Sequence, residues 1–157
     1  MKIIYETENF IVFVPKEPHI SREEGGHLCI RAKKENCTSR LDFTPQEAKE
    51  FIRLSMLLGE AMMNGMAKTG VLIERINYQE NGNWAFLNDE EPFFHMHLYG
   101  RAKDAKHQKF GEALYFPHPT SVYYETNLPL RSGDILEIQN ELKRLENSDK
   151  YEIHTWN

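Results

Sequence analysis

The sequence predicts a single α+β domain: one antiparallel sheet of about five strands with two main helices packed on one side. Three observations carry this expectation. Short β-branched and aromatic runs recur between turn signals. Two longer segments instead place apolar residues at helical spacing. The length, 157 residues, suits one compact domain that can bury a core without crosslinks.

The strands and helices follow in order. Ile3 to Tyr5 and Phe10 to Val14 flank the polar stretch Glu6-Thr7-Glu8-Asn9, which predicts a hairpin or two consecutive edge strands. Pro15 and Pro18 end the second run, and Gly25-Gly26 opens a strand over His27 to Ala32. The first long helix has a cap at Thr44, a proline at its first turn in Pro45, and Glu47 three residues after the cap, a capping box. Its stripe is Phe51, Leu54, Leu58, Ala61 and Met62, and Gly65 or Gly70 marks its end. Met56, Met62, Met63 and Met66 fit core filler or interface surface, given how readily methionine adapts to irregular packing. A strand is expected from Val71 to Asn77, and a short extended piece around Trp84 and Phe86. Pro92 introduces Phe93 to Tyr99, read as a strand ended by Gly100. Arg101 to Gly111 reads as a polar loop and Ala113 to Phe116 as a further short strand. The last helix begins near Ser132-Gly133-Asp134 and buries Ile135, Ile138, Leu142 and Leu145.

Charge and cysteine content narrow the function. The chain has 19 basic and 24 acidic residues, a formal net charge of -5. Duplex nucleic acid is excluded as a partner, because it calls for a broad positive face. Cys29 and Cys37 stand alone, so neither a zinc knuckle nor a disulfide framework is indicated and a reducing compartment is the simpler reading. The N-terminus reaches acidic residues too soon for a signal peptide, and the apolar runs are too short for a membrane span. The expectation is a cytoplasmic protein with no membrane contact.

The chemistry concentrates in one strand. Side chains alternate, so Phe93, His95, His97 and Tyr99 share one face while Phe94, Met96 and Leu98 share the face that packs on the helices. Residues two apart on a strand stand about 7 Å from each other, which lets two imidazoles bracket a phosphoryl group. One ring can attack phosphorus as a neutral nucleophile while the other donates to an oxygen. Spacing alone also admits a metal site, with His107, Glu112 or His118 as third ligand, or no special role. His27 reads as structural beside its glycines, and His19, His118 and His154 have no constellation around them.

The stretch Pro92-Phe93-Phe94-His95-Met96-His97-Leu98-Tyr99-Gly100-Arg101 resembles the signature of the histidine-triad family of nucleotide hydrolases and transferases, with Phe93 in place of the first triad histidine. In that register His95 takes the nucleophilic position and His97 the phosphate-contacting one. The resemblance implies that a backbone carbonyl, here of Phe93, holds the nucleophile's tautomer. A second register takes His95, His97 and Tyr99 as the triad and makes His97 the nucleophile. Gly26-His27-Leu28-Cys29-Ile30 resembles the family's glycine-histidine strand, with Arg31-Ala32-Lys33 where a proline-lysine pair usually follows. The likeness covers roughly Phe10 to Arg101, so residues 1–101 form the family-like core and 102–157 an extension of loop, short extended segment and helix.

What the resemblance implies is cleavage of a phosphoanhydride or phosphoramidate bond in a small nucleotide, such as a dinucleoside polyphosphate, through a covalent intermediate on histidine. Substrate contacts are expected from Asn77, Tyr99, Arg101 and His107, with no cofactor and no resident metal. It also implies a homodimer formed through the long helix and a sheet edge. Phe93 and the acidic run Asp89-Glu90-Glu91 motivate an alternative: a nucleotide-binding or interaction protein without efficient chemistry.

Overall fold

The structure, a computed structural model, describes residues 2–82 and 84–156. Five strands form one antiparallel sheet: β1 (Lys2–Glu6), β2 (Phe10–Val14), β3 (His27–Ala32), β4 (Ile73–Glu80) and β5 (His95–Ala102), in the order β1-β2-β3-β5-β4. Two helices, α1 (Pro45–Lys68) and α2 (Ser132–Glu146), pack together on one face. The predicted class and helix placement hold.

Local chemistry explains the elements. Thr44 Oγ1 accepts the Glu47 N–H and the Glu47 carboxylate accepts the Thr44 N–H, so the capping box of α1 forms as the sequence predicts. Phe51, Leu54, Leu57, Leu58, Ala61 and Met62 turn into the core, where they meet Phe10, Val12, Leu28 and Ile30 from the sheet. Phe94, Met96 and Leu98 are buried on the same side, which commits His95 and His97 to the opposite face. Gly25 and Gly100 let the entrance of β3 touch β5: a Cβ on Gly100 would lie 2.2 Å from the Gly25 carbonyl oxygen, and Gly25 has φ +127°.

Several local expectations change. β4 runs to Glu80, so Asn77 lies mid-strand, and β5 continues through Gly100 to Ala102 because Gly100 and Arg101 pair with Ile76 and Arg75. Ala85–Asn88 is a 3-10 helix, not an extended piece, since its turn bonds close locally: Leu87 N–H donates to the Trp84 carbonyl. Residues 113–116 form no strand, because their backbone bonds a side chain, Gln108, in place of a sheet edge.

The extension divides: α2 packs beside α1, while Phe116, Tyr124 and Asn127 reach His19 over the outer face of the sheet. Buried Glu24 accepts the N–H groups of Lys106, His107 and Gln108 at 2.8–3.2 Å. Buried Arg22 pairs with Asp134 at the start of α2 at 2.8 Å. Such buried charges need hydrogen-bonded partners, and these two tie the last 56 residues to the loop before β3. No helix among the described residues is long and apolar enough to cross a membrane.

Candidate functional site

The β3–β5 register builds the site. Arg31 lies opposite His95, Cys29 opposite His97 and His27 opposite Tyr99, all on the outer face. His95 and His97 are adjacent on that face with ring centroids 4.7 Å apart, closer than the strand rise alone gives, because the rings lean together. They open into a cavity of about 430 Å³. Trp84, Ala85, Pro92 and Phe93 wall it from the β4–β5 connection, and His19 and Phe116 close the other side. Asn81 and Glu90 add polar groups, and among the described residues no lysine or arginine lines it.

Hydrogen bonds fix which nitrogen of each ring carries a proton. The backbone N–H of His19 donates to His27 Nδ1 at 3.1 Å, so that nitrogen holds a lone pair. Burial, with His97 and His19 close by, pushes His27 well below the ordinary imidazole value, so it is neutral with its proton on Nε2. Nε2–H donates to His97 Nδ1 at 2.7 Å. His97 is pushed down to about 2 by burial and by its neighbours His95 and His19, so its single proton sits on Nε2. That atom is buried and has no partner among the described residues. His97 thus keeps an unused, buried N–H donor on a ring that lines the cavity.

His95 has the opposite polarity. Its Nδ1–H donates to the Phe93 carbonyl at 3.0 Å, which leaves the lone pair on Nε2. Desolvation lowers its basicity and the Phe93 carbonyl raises it, with Arg31 and Glu80 acting in opposite senses; the net is downward. A neutral imidazole lone pair and a neutral imidazole N–H therefore belong to adjacent rings that line one cavity.

His19, which has no partner legible in sequence, is the roof of this cluster. It packs on His27, His97 and Trp84 at 5.0–5.1 Å, and burial lowers it to about 4. Asn127 of the extension donates to the carbonyls of Pro18 and His19, and Tyr124 and Phe116 pack against the His19 ring. The 108-residue separation of Asn127 and His19 is why no local pattern reveals the link.

Of the residues expected at a site, the structure brings His95 and His97 together at the cavity. Tyr99 is fully buried beneath it, bonded to His19 and Asn81. Arg101 is buried with its guanidinium on the carbonyls of Lys109, Glu112 and Gln108, and Asn77 accepts from it at 3.4 Å. His107 sits beside Glu24 in a separate surface depression. His27, read from sequence as structural, instead sets the tautomer of His97.

His19, His27 and His97 bring ligand atoms within 4.8 Å of one another, with Cys29 Sγ 3.3 Å from His27 and His97. By type this set would suit zinc. The His19 amide opposes it: with Nδ1 of His27 accepting, Nε2 must keep its proton and offers no lone pair to an ion.

No protein-family model matches the chain, and no curated protein matches it. Solved structures do. A hypothetical histidine triad nucleotide-binding protein from Sulfolobus tokodaii superposes with TM-score 0.59 at 16% identity, over 94% of this chain and 87% of that one. The fold is that of the histidine-triad proteins. A zinc-bound histidine triad family protein from Mycobacterium smegmatis matches at TM-score 0.53 and 19% identity, covering 92% of this chain and 85% of its own. A uridylyltransferase matches over 91% of this chain but 41% of its own length, at 13% identity and TM-score 0.52. In this chain the paired histidines lie on β5, an inner strand of the sheet.

Proposed function

We propose that the protein binds a small nucleotide and cleaves it at phosphorus, with His95 as nucleophile and His97 as donor to a phosphoryl oxygen. The observation that carries this is the opposed protonation of the two rings: His95 Nε2 has a lone pair, and His97 Nε2 has a proton with no acceptor. The same observation favours His95 over His97 as nucleophile, since His97 has no free lone pair: its Nδ1 accepts from His27 and its Nε2 is protonated.

In the reaction, His95 Nε2 forms a bond to phosphorus as the bond to the leaving group breaks, and the leaving group departs with that electron pair. Water then attacks the phosphoimidazole, a new P–O bond forms, the P–N bond breaks, and the electron pair returns to Nε2. The water proton passes to solvent. A neutral imidazole N–H steadies negative charge but is a poor proton donor, so His97 suits a phosphate leaving group, which departs as a stable anion. An amine, the leaving group of a phosphoramidate, would take its proton from solvent. Trp84, Phe93 and Phe116 give the cavity apolar surface on which a base can lie.

Incubation with a panel of dinucleoside polyphosphates and nucleoside phosphoramidates tests the reading. Release of mononucleotide, with an adduct lost in His95→Ala, is the expected result. Tight binding without turnover or adduct would replace it with the non-catalytic alternative, which Glu90 at the cavity favours because a carboxylate repels phosphate. The proposal includes a homodimer through the exposed Ile52 and Met56 of α1 and the outer edge of β4; a one-chain mass in solution would remove that part.

A further inference from the structure

The proposed chemistry places a phosphate in a cavity whose lining, among the described residues, holds no lysine or arginine. A neutral His97 supplies one donor, and the chain as a whole is negative. An anion held there draws its positive charge from beyond the walls.

Arg31 lies outside that lining, against the wall residue Phe93. It is the cross-strand partner of His95, on the same face of the sheet. Its guanidinium carbon lies 4.7 Å from the centre of the Phe93 ring, and that ring is in turn 4.7 Å from His95. Among the described residues no carboxylate pairs with Arg31, and its side chain is exposed. The contrast with Arg22, Arg40, Arg131 and Arg144 is direct, since each of these meets an acid.

An aromatic face holds a guanidinium in one plane without neutralising it, so the N–H edges keep both their charge and their vacancies. A carboxylate in the position of Phe93 would orient Arg31 equally well but would cancel the field an anion needs. Phe93 also spans the two parts: its ring carries Arg31, and its carbonyl holds the His95 tautomer. One residue therefore sets the cation and the nucleophile relative to each other.

We infer that Arg31, seated on Phe93, is a phosphate-binding residue of this site: its guanidinium contacts nonbridging oxygens of the phosphate facing His95, and Phe93 is its positioning residue. The inference rests on the proposed nucleotide chemistry for its setting, but an arginine–phosphate contact is measurable without turnover. Planar guanidinium donors match two phosphate oxygens at once, which a lysine at this place would not.

The test is titration of the unmodified protein, Arg31→Gln, Arg31→Lys, Phe93→Leu and Phe93→Tyr with inorganic phosphate, followed by NMR at the Arg31 Nε–H and the His95 ring. Arg31→Gln should weaken phosphate roughly ten- to a hundredfold, the loss of a charge-assisted contact. Arg31→Lys should fall between. Phe93→Leu should weaken binding several-fold while Phe93→Tyr, which keeps the ring, restores it; a merely structural role for Phe93 would not separate these two. Equal phosphate affinity in Arg31→Gln and the unmodified protein, or no phosphate response at Arg31, overturns the inference. If phosphate binding depends on Arg31 while no nucleotide is cleaved, the inference stands and the nucleotide reading falls. Nucleotide cleavage undiminished in Arg31→Gln has the reverse meaning.

Discussion

His27 Nε2 lies 2.7 Å from His97 Nδ1, and the proton between them belongs to His27 because the His19 amide occupies its other nitrogen. A residue on β3 thereby decides which nitrogen of a β5 histidine carries the proton. Replacing His27 by leucine frees His97 Nδ1 to take the proton, so nitrogen NMR should show His97 changing from the Nε2–H form to a mixture. Turnover should fall by about tenfold or more, while His97→Ala should lose about a hundredfold or more, the range for removing one oxyanion donor. An unchanged His97 tautomer in His27→Leu would contradict the relay.

The same cluster makes stability depend on pH. His19 at about 4, His97 at about 2 and His27 well below the ordinary value stay neutral in the fold, whereas the unfolded chain takes up those protons near 6.5. The unfolded state binds more protons, so stability is complete above 6.5 and is lost as pH falls from there toward the folded values. Each such histidine contributes a slope of about 1.4 kcal/mol per pH unit once the unfolded form is protonated. Urea unfolding at pH 7, 6 and 5 should show this decline before the carboxylates titrate, and His27→Leu should have a shallower profile. A level profile across that interval would count against a neutral cluster.

Arg101 holds the loop that follows its own strand. Its guanidinium donates to the carbonyls of Lys109 at 2.7 Å and Glu112 at 3.0 Å. Arg101→Leu leaves these acceptors to find water, at a cost of about 2–4 kcal/mol given typical penalties for lost charge-assisted bonds. Faster amide exchange over residues 103–112, with β1 and β2 unaffected, is the expected signature. Exchange unchanged in that loop would show that Arg101 does not hold it.

Trp84 packs on His19 at the cavity wall. If it carries the base, Trp84→Ala should weaken a mononucleotide about fivefold to a hundredfold, the range for one base–aromatic stack, and leave inorganic phosphate binding as it was. Loss of both affinities together would mean that Trp84 supports the histidine cluster instead.

Periodicity made much of this legible. The capping box at Thr44, the α1 stripe and the alternation of Phe94, Met96 and Leu98 against His95 and His97 are local patterns, and local backbone geometry enforces them. The Phe93 carbonyl as partner of His95 was legible for the same reason, being two residues away. Arg101 and His107 illustrate the limit. Both are expected from the sequence to contact substrate, and folding instead sets the Arg101 guanidinium on the Lys109 carbonyl and the His107 ring beside Glu24, through chain reversal.

The amino-acid order by itself settled that one strand would present two imidazoles on a single face, because side-chain alternation along an extended backbone leaves no other arrangement. Tertiary structure decided the protonation of His97. That depends on a loop amide from His19, a ring from the neighbouring strand and a covering segment more than a hundred residues away, and a proton's position is set by whichever acceptor folding brings within about 3 Å.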